Sequence, residues 1–74
     1  MQFDYRKLLG RITEKAGTQA NFAQQIDLSE RSVSLKLNSK VAFKQDEIVR
    51  AARVLEIPNE EIGSYFFAHD VQSA

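Results

Sequence analysis

Residues 19–38 read Gln-Ala-Asn-Phe-Ala-Gln-Gln-Ile-Asp-Leu-Ser-Glu-Arg-Ser-Val-Ser-Leu-Lys-Leu-Asn. Two short helical patterns meet there, with only Asp27 and Leu28 between them. The first runs from Thr18, a plausible N-cap, to Ile26, and its apolar side is Phe22, Ala23 and Ile26. The second opens at Ser29, a strong N-cap residue, and runs to Asn38, with Val33 and Leu37 inward at i and i+4. A link that short forces a sharp corner, which Leu28 is placed to plug, and Ala23 is small enough to let the helices cross closely. Once the inward positions are removed, the second helix presents Ser29, Glu30, Arg31, Ser32, Ser34, Leu35 and Lys36. Folding requires none of these outward. Short hydroxyls, a guanidinium and a small apolar contact are the chemistry that reads base edges and phosphates in a DNA major groove. An ordinary solvated polar face is the competing reading.

The 74 residues suffice for one small domain, and the absence of Cys leaves a core of Phe, Leu, Ile, Val and Ala to hold it. No apolar run approaches the roughly 20 residues of a membrane span, and the start Met1-Gln2-Phe3-Asp4-Tyr5 lacks a signal peptide's apolar stretch. A soluble, cytoplasmic protein is expected. Net charge is zero, but its distribution is uneven. Residues 1–44 hold eight Lys/Arg against four acids, and residues 45–74 hold two against six, or +4 followed by −4. A nucleic-acid-facing half and an acidic far half give that split, as does chance in a short chain.

Outward from the central stretch, Tyr5, Leu8, Leu9, Ile12 and Ala16 form a helical stripe over residues 4–16, with Asp4 as its cap and Phe3 as a hydrophobic staple on Leu8. Gly10 lies inside this helix, where close packing of another helix would explain it; Gly17 ends it. After Asn38 comes a loop in which Phe43, helped by Val41, is expected in the core. A fourth helix over residues 45–55 turns Ile48, Ala51, Ala52 and Leu55 inward, with Val49 beside the stripe. Lys44 is a poor N-cap, so Asp46 or a neighbour must compensate. Pro58 opens a short fifth helix over residues 59–65, with Ile62 and either Tyr65 or Phe66 inward. One helix face cannot bury all of Tyr65, Phe66 and Phe67.

The order of these elements places Gln19, Ala23, Leu28, Ser29, Val33, Ser34 and Asn38 at the spacing used by the phage Cro/CI class of helix-turn-helix repressors. The chain resembles that class over nearly its whole length. Residues 28–38 and 60–67 resemble most the short Cro-like regulators of temperate phages of Gram-positive bacteria. Two positions depart from the pattern. Asp27 stands where Gly is usual in the corner, and Asp tolerates a left-handed backbone better than most residues. Lys36 stands where an apolar residue is more common, so Leu35 or Leu37 must supply the inward contact, and the rotation of the helix stays open by one residue.

The resemblance implies an all-α, five-helix, lambda-repressor-like domain over residues 1–67 with a tail over 68–74. Its second motif helix would enter the major groove. Glu30, Arg31 and Leu35 would face base edges, Arg31 foremost as a bidentate partner for guanine. Arg31 as a phosphate or surface partner, Glu30 as its orienting carboxylate and Leu35 as a core residue are the competing readings. Gln19, Ser29, Ser34, Asn38, Ser39, Lys40 and Lys44 are the phosphate candidates. Ile57, Tyr65, Phe66 and Phe67 are candidates for a dimer or partner surface, closure of the core being the alternative.

The function implied is a repressor that binds double-stranded operator DNA, as a homodimer on two half-sites about 34 Å apart, in control of the lysis–lysogeny decision. The first alternative is an antirepressor or protein-interaction module that binds a companion phage repressor; zero net charge and Glu30 favour it. The second is an antitoxin-type autorepressor. No cofactor, metal or enzymatic role is expected. His69 is the sole His, there is no Cys, and no Gly-rich phosphate loop is present.

Overall fold

The computed structural model describes residues 3–68. The first helix, α1, runs over Arg6–Lys15 and buries Leu8 and Ile12, one turn apart, completely. Its stripe is narrower than the sequence suggests, because Leu9 lies at the surface and Ala16 is half-buried. Asp4 is not the cap of this helix: the N-cap position is Tyr5, without a side-chain cap bond, and Asp4 stands one residue earlier, its carboxylate accepting from the Arg6 N–H at 3.0 Å and from the guanidinium at 2.7 Å. Those bonds pull its pKa from 3.8 to about 2. The ring of Phe3 meets Tyr5 and Phe67, and the Asp4 N–H donates to the Ala68 carbonyl at 2.7 Å, tying the lead-in to the far end of the described chain. Gly17, at φ 88°, ends α1 in the left-handed region that favours glycine. The expected packing at Gly10 is absent: Gly10 is exposed, and a Cβ built there would meet nothing within 4 Å.

Helix α2 spans Gln19–Gln25 and is capped by Thr18, whose hydroxyl accepts from the Asn21 N–H at 3.0 Å. Helix α3 spans Glu30–Leu37 and is capped by Ser29. The corner of residues 26–29 turns on Asp27, at φ 65°, the left-handed conformation that the chain's departure from Gly demands. Leu28 packs partly against the core, and its N–H donates back to the Ala23 carbonyl at 2.9 Å. Phe22, Ala23, Ile26 and Val33 are buried beneath the crossing.

The largest correction concerns Lys36. It is not on the outer face of α3; it is 4% exposed. Its ammonium lies 3.0 Å from the carboxylate of Glu47, itself 5% exposed, and donates to the Ala42 carbonyl at 3.0 Å. Glu47 belongs to α4, Gln45–Val54, and the same oxygen accepts from the Lys44 N–H at 2.8 Å. Glu47 thus compensates for Lys44 as the poor N-cap. Burial raises the pKa of Glu47; the Lys44 N–H and the Lys36 ammonium outweigh it, and the carboxyl sits below its ordinary value of 4.5. The loop held by this clamp inserts Phe43 between Tyr5 and Phe66, ring centroids 5.6 and 5.3 Å away. Val41 stays outside, 47% exposed, because the turn after Leu37 carries it past the core.

Ile48, Ala51, Ala52 and Leu55 line the buried side of α4 as expected. Its C-terminus is held by Arg11, whose guanidinium donates to the carbonyls of Leu55 and Glu56, both at 2.8 Å. A 3₁₀ turn, Asn59–Glu61, then runs into α5, Ile62–Phe66. Both Tyr65 and Phe66 are buried, rather than one of them. The five helices make an all-α fold, with no strand element among the described residues. The expected tail over 68–74 lies, from His69 on, outside the described residues.

Two consequences are measurable. Gly10→Ala adds a methyl group into open space on a helix and is expected to raise the unfolding free energy by about 1 kcal/mol in urea titrations; a loss of stability would show that a Cβ is not tolerated there. Lys36→Met and Glu47→Gln each break the buried pair and are expected to cost about 3 kcal/mol. The double variant should lose clearly less than the sum, since no unpaired charge remains; additive losses would disprove the coupling. With Glu47 depressed in the folded chain, its contribution is complete above the unfolded value and fades as pH falls through the folded one. Acid unfolding should therefore steepen below about pH 4.5 and flatten in the double variant.

Candidate functional site

The clamp fixes which side of α3 faces outward. Val33 and Lys36 point in and Leu37 packs partly against the core, which leaves Glu30 and Arg31 exposed and Ser32, Ser34 and Leu35 half-buried. Arg31 and Leu35 share a face at i, i+4. The Leu35 carbonyl is covered by the returning chain, accepting from the N–H groups of Lys40 and Val41 at 2.9 and 3.4 Å.

Several phosphate candidates are already engaged locally. The Ser29 hydroxyl accepts from the Ser32 N–H at 3.1 Å and donates to the Ser32 hydroxyl at 2.9 Å. The Asn38 amide donates to the Ser34 carbonyl at 2.8 Å. Ser39 turns the chain at φ 61° and is half-buried. Gln19 is half-buried at the first position of α2, while Lys40 and Lys44 are exposed.

The charges sort into paired and unpaired sets. Asp4 pairs with Arg6, Glu14 with Arg11, Glu56 with Lys15, Glu47 with Lys36 and Asp46 with Arg50. The bond from Arg50 pulls the pKa of Asp46 below its ordinary value. Lys7 donates to the Ser64 hydroxyl and lies over the Tyr65 ring, 4.5 Å from its centroid. Among the described residues, Arg31, Lys40, Lys44 and Arg53 take part in no ion pair, and neither do Asp27, Glu30, Glu60 and Glu61. Three of those four cations lie on α3 or in the loop after it.

A second feature lies along the outer side of α4. A concavity of about 480 Å³ is lined by Phe43, Gln45, Ile48, Val49, Ile62 and Phe67. A neighbouring one of about 260 Å³ is lined by Val49, Ala52, Arg53, Ile57, Asn59 and Ile62. The two adjoin at Val49 and Ile62, and together are termed the trough. Val49 is 48% and Phe67 50% exposed, large apolar side chains left in water.

Of the four residues expected at a partner surface, Ile57, Tyr65 and Phe66 are core residues, buried as α5 folds back onto α1. Only Phe67 is at the surface, although the edge of Ile57 lines the trough floor. Sequence reasoning missed Val49 as a surface residue of interest. Its signal is an apolar side chain outside the inward stripe, spaced four residues from polar Gln45 and from Arg53. No group of three or more metal-ligating side chains occurs among the described residues, and no described helix is long and apolar enough to cross a membrane.

Comparison with known proteins places these features in a family. None of the curated proteins matches the chain. The solution structure of the modulator of repression of the temperate bacteriophage TP901-1 from Lactococcus lactis is similar, at 60% sequence identity and a TM-score of 0.79 over 90% of each chain. A family model described as protein of unknown function (DUF739) matches residues 1–69. With nearly the whole chain matched, the protein described above belongs to the DUF739 family.

Proposed function

We propose that the chain controls phage repression by binding a companion repressor protein, and that the trough beside α4 is the contact. The carrying observation is the pair Val49 and Phe67, half-exposed on a trough that no described residue covers. The 60% identical relative is a modulator of repression, a role that fits a protein acting on a repressor. Burial of exposed apolar surface supplies a driving force that does not depend on net charge, which suits a chain whose net charge is zero. A bound repressor is withdrawn from its operator by mass action. A free concentration about ten times Kd leaves about a tenth of the repressor unbound.

A second reading, operator binding of the Cro type, has its own observation: Arg31, Lys40 and Lys44 stand unpaired on and after α3. In it, Arg31 reads a guanine with Glu30 and Leu35 beside it, and Lys40 and Lys44 hold phosphates. Both activities belong in the host cytoplasm, where operator and repressor meet.

Calorimetric titration against the companion repressor separates the two. Phe67→Ser is expected to weaken the complex by at least about tenfold, as removal of a central aromatic anchor does, with thermal unfolding little changed; Arg31→Ala should leave it intact. Absence of repressor binding at micromolar concentration, together with an operator complex lost in Arg31→Ala, would reverse the order of the readings.

A further inference from the structure

The two ends of the trough differ. Gln45, Val49 and Arg53 follow one another at i, i+4 and i+8 along α4, a wall of roughly 12 Å at 1.5 Å per residue. The Gln45 end is apolar, bounded by Phe43, Ile48 and Phe67. The other end carries Arg53 and Asn59 over a floor of Ala52 and Ile57. Arg11 and Arg50 are both held by carbonyl and carboxylate oxygens. Arg53, in contrast, has no ion pair, and the Asn59 amide has no hydrogen-bond partner, among the described residues. A guanidinium and an amide lining the same concavity offer a donor set for a carboxylate. Glu60 and Glu61 follow Asn59 but line neither concavity.

The trough is lined by residues of α4, of the 3₁₀ turn and α5, and of the loops beside them, and no strand element with an open edge exists among the described residues to pair with an extended segment. A segment laid on this apolar floor must satisfy its own N–H and C=O groups, and a helix does so.

We infer that the trough receives a two-turn amphipathic helix of the companion repressor, with two apolar side chains one turn apart against Val49 and Phe67 and a carboxylate at the Arg53–Asn59 end. This rests on the companion-repressor reading and adds the chemistry and direction of the bound segment. The acid fixes which way the partner helix runs along α4, since a reversed helix would place its carboxylate among Phe43, Ile48 and Phe67.

The test titrates the full-length companion repressor with the wild-type chain, Val49→Asp and Arg53→Glu, using circular dichroism to verify folding. Both positions are exposed, and the Arg53 side chain is in no ion pair among the described residues. Val49→Asp is expected to weaken binding by at least tenfold or so, and Arg53→Glu by about tenfold. Replacing the repressor helix's Asp or Glu by Lys should restore binding to Arg53→Glu and not to Val49→Asp. If Arg53→Glu binds like wild type, or no such exchange restores it, the carboxylate assignment is overturned while the companion-repressor reading stands. If the repressor does not bind the wild-type chain at all, that reading falls and the inference with it.

Discussion

The Lys36–Glu47 pair is the constraint on which the geometry of both surfaces depends. It joins α3 to the first turn of α4 across a loop of seven residues, and through Ala42 and Lys44 it also holds the backbone of that loop. An apolar residue at position 36 would pack but would not choose among nearby rotations of α3. A charge that must find its counter-charge does choose, because the misplaced alternatives leave an ammonium or a carboxylate buried alone, at a cost of several kcal/mol. The same clamp sets Phe43, whose ring lies 5.9 Å from the Lys36 ammonium and joins Tyr5 and Phe66 in a file of edge-to-face contacts. Phe43 in turn forms a wall of the trough. One buried pair therefore decides which side chains of α3 meet solvent and what shape the trough has.

This dependence explains what could be read from the sequence and what could not. The caps Thr18 and Ser29, the left-handed Asp27 and the inward residues of α2 and α4 follow from local rules: a hydroxyl before a helix, a short polar residue in a corner, apolar side chains a turn apart. The burial of Lys36 depends on Glu47, eleven residues away, and no pattern within one helix announces that partner. A lysine between Leu35 and Leu37 reads as surface until the second charge is placed. Tyr65 and Phe66 are both inward because the 3₁₀ turn before α5 and the Phe43 ring together open enough core for two aromatics. That is a property of three elements at once. Gly10 shows the converse: a glycine inside a helix suggests a close neighbour, and here the neighbour is solvent.

The candidate site was legible in unequal parts. Arg31 and Glu30 stand where periodicity puts them, on the open side of α3. The aromatic run exceeds what one face can bury, yet the excess is Phe67 alone, and its companion on the surface is Val49 from another helix. A surface assembled from α4, the 3₁₀ turn and the residue after α5 has no signature in any one segment.

The relative strength of the two surfaces follows from the charges left over after folding. Six of the ten Lys and Arg are engaged within the described fold by ion pairs, backbone carbonyls or an aromatic ring, and Arg53 belongs to the trough. Three remain near α3. Two phosphate contacts, from Lys40 and Lys44, would give a salt slope of roughly −1.8, so a fourfold rise in salt would cost about twelvefold in affinity, where proteins with six to ten such contacts lose 10³–10⁵. So modest a slope would mean that one copy of the chain draws little electrostatic free energy from a duplex, and Glu30 at the front of α3 would reduce it further. The trough differs in kind: it is mostly apolar in its lining, with Arg53 as its one cation. A fold with a corner and an outward helix of the kind suited to DNA thus leaves few unpaired cations near that helix, and leaves two large apolar side chains, Val49 and Phe67, in water on another face.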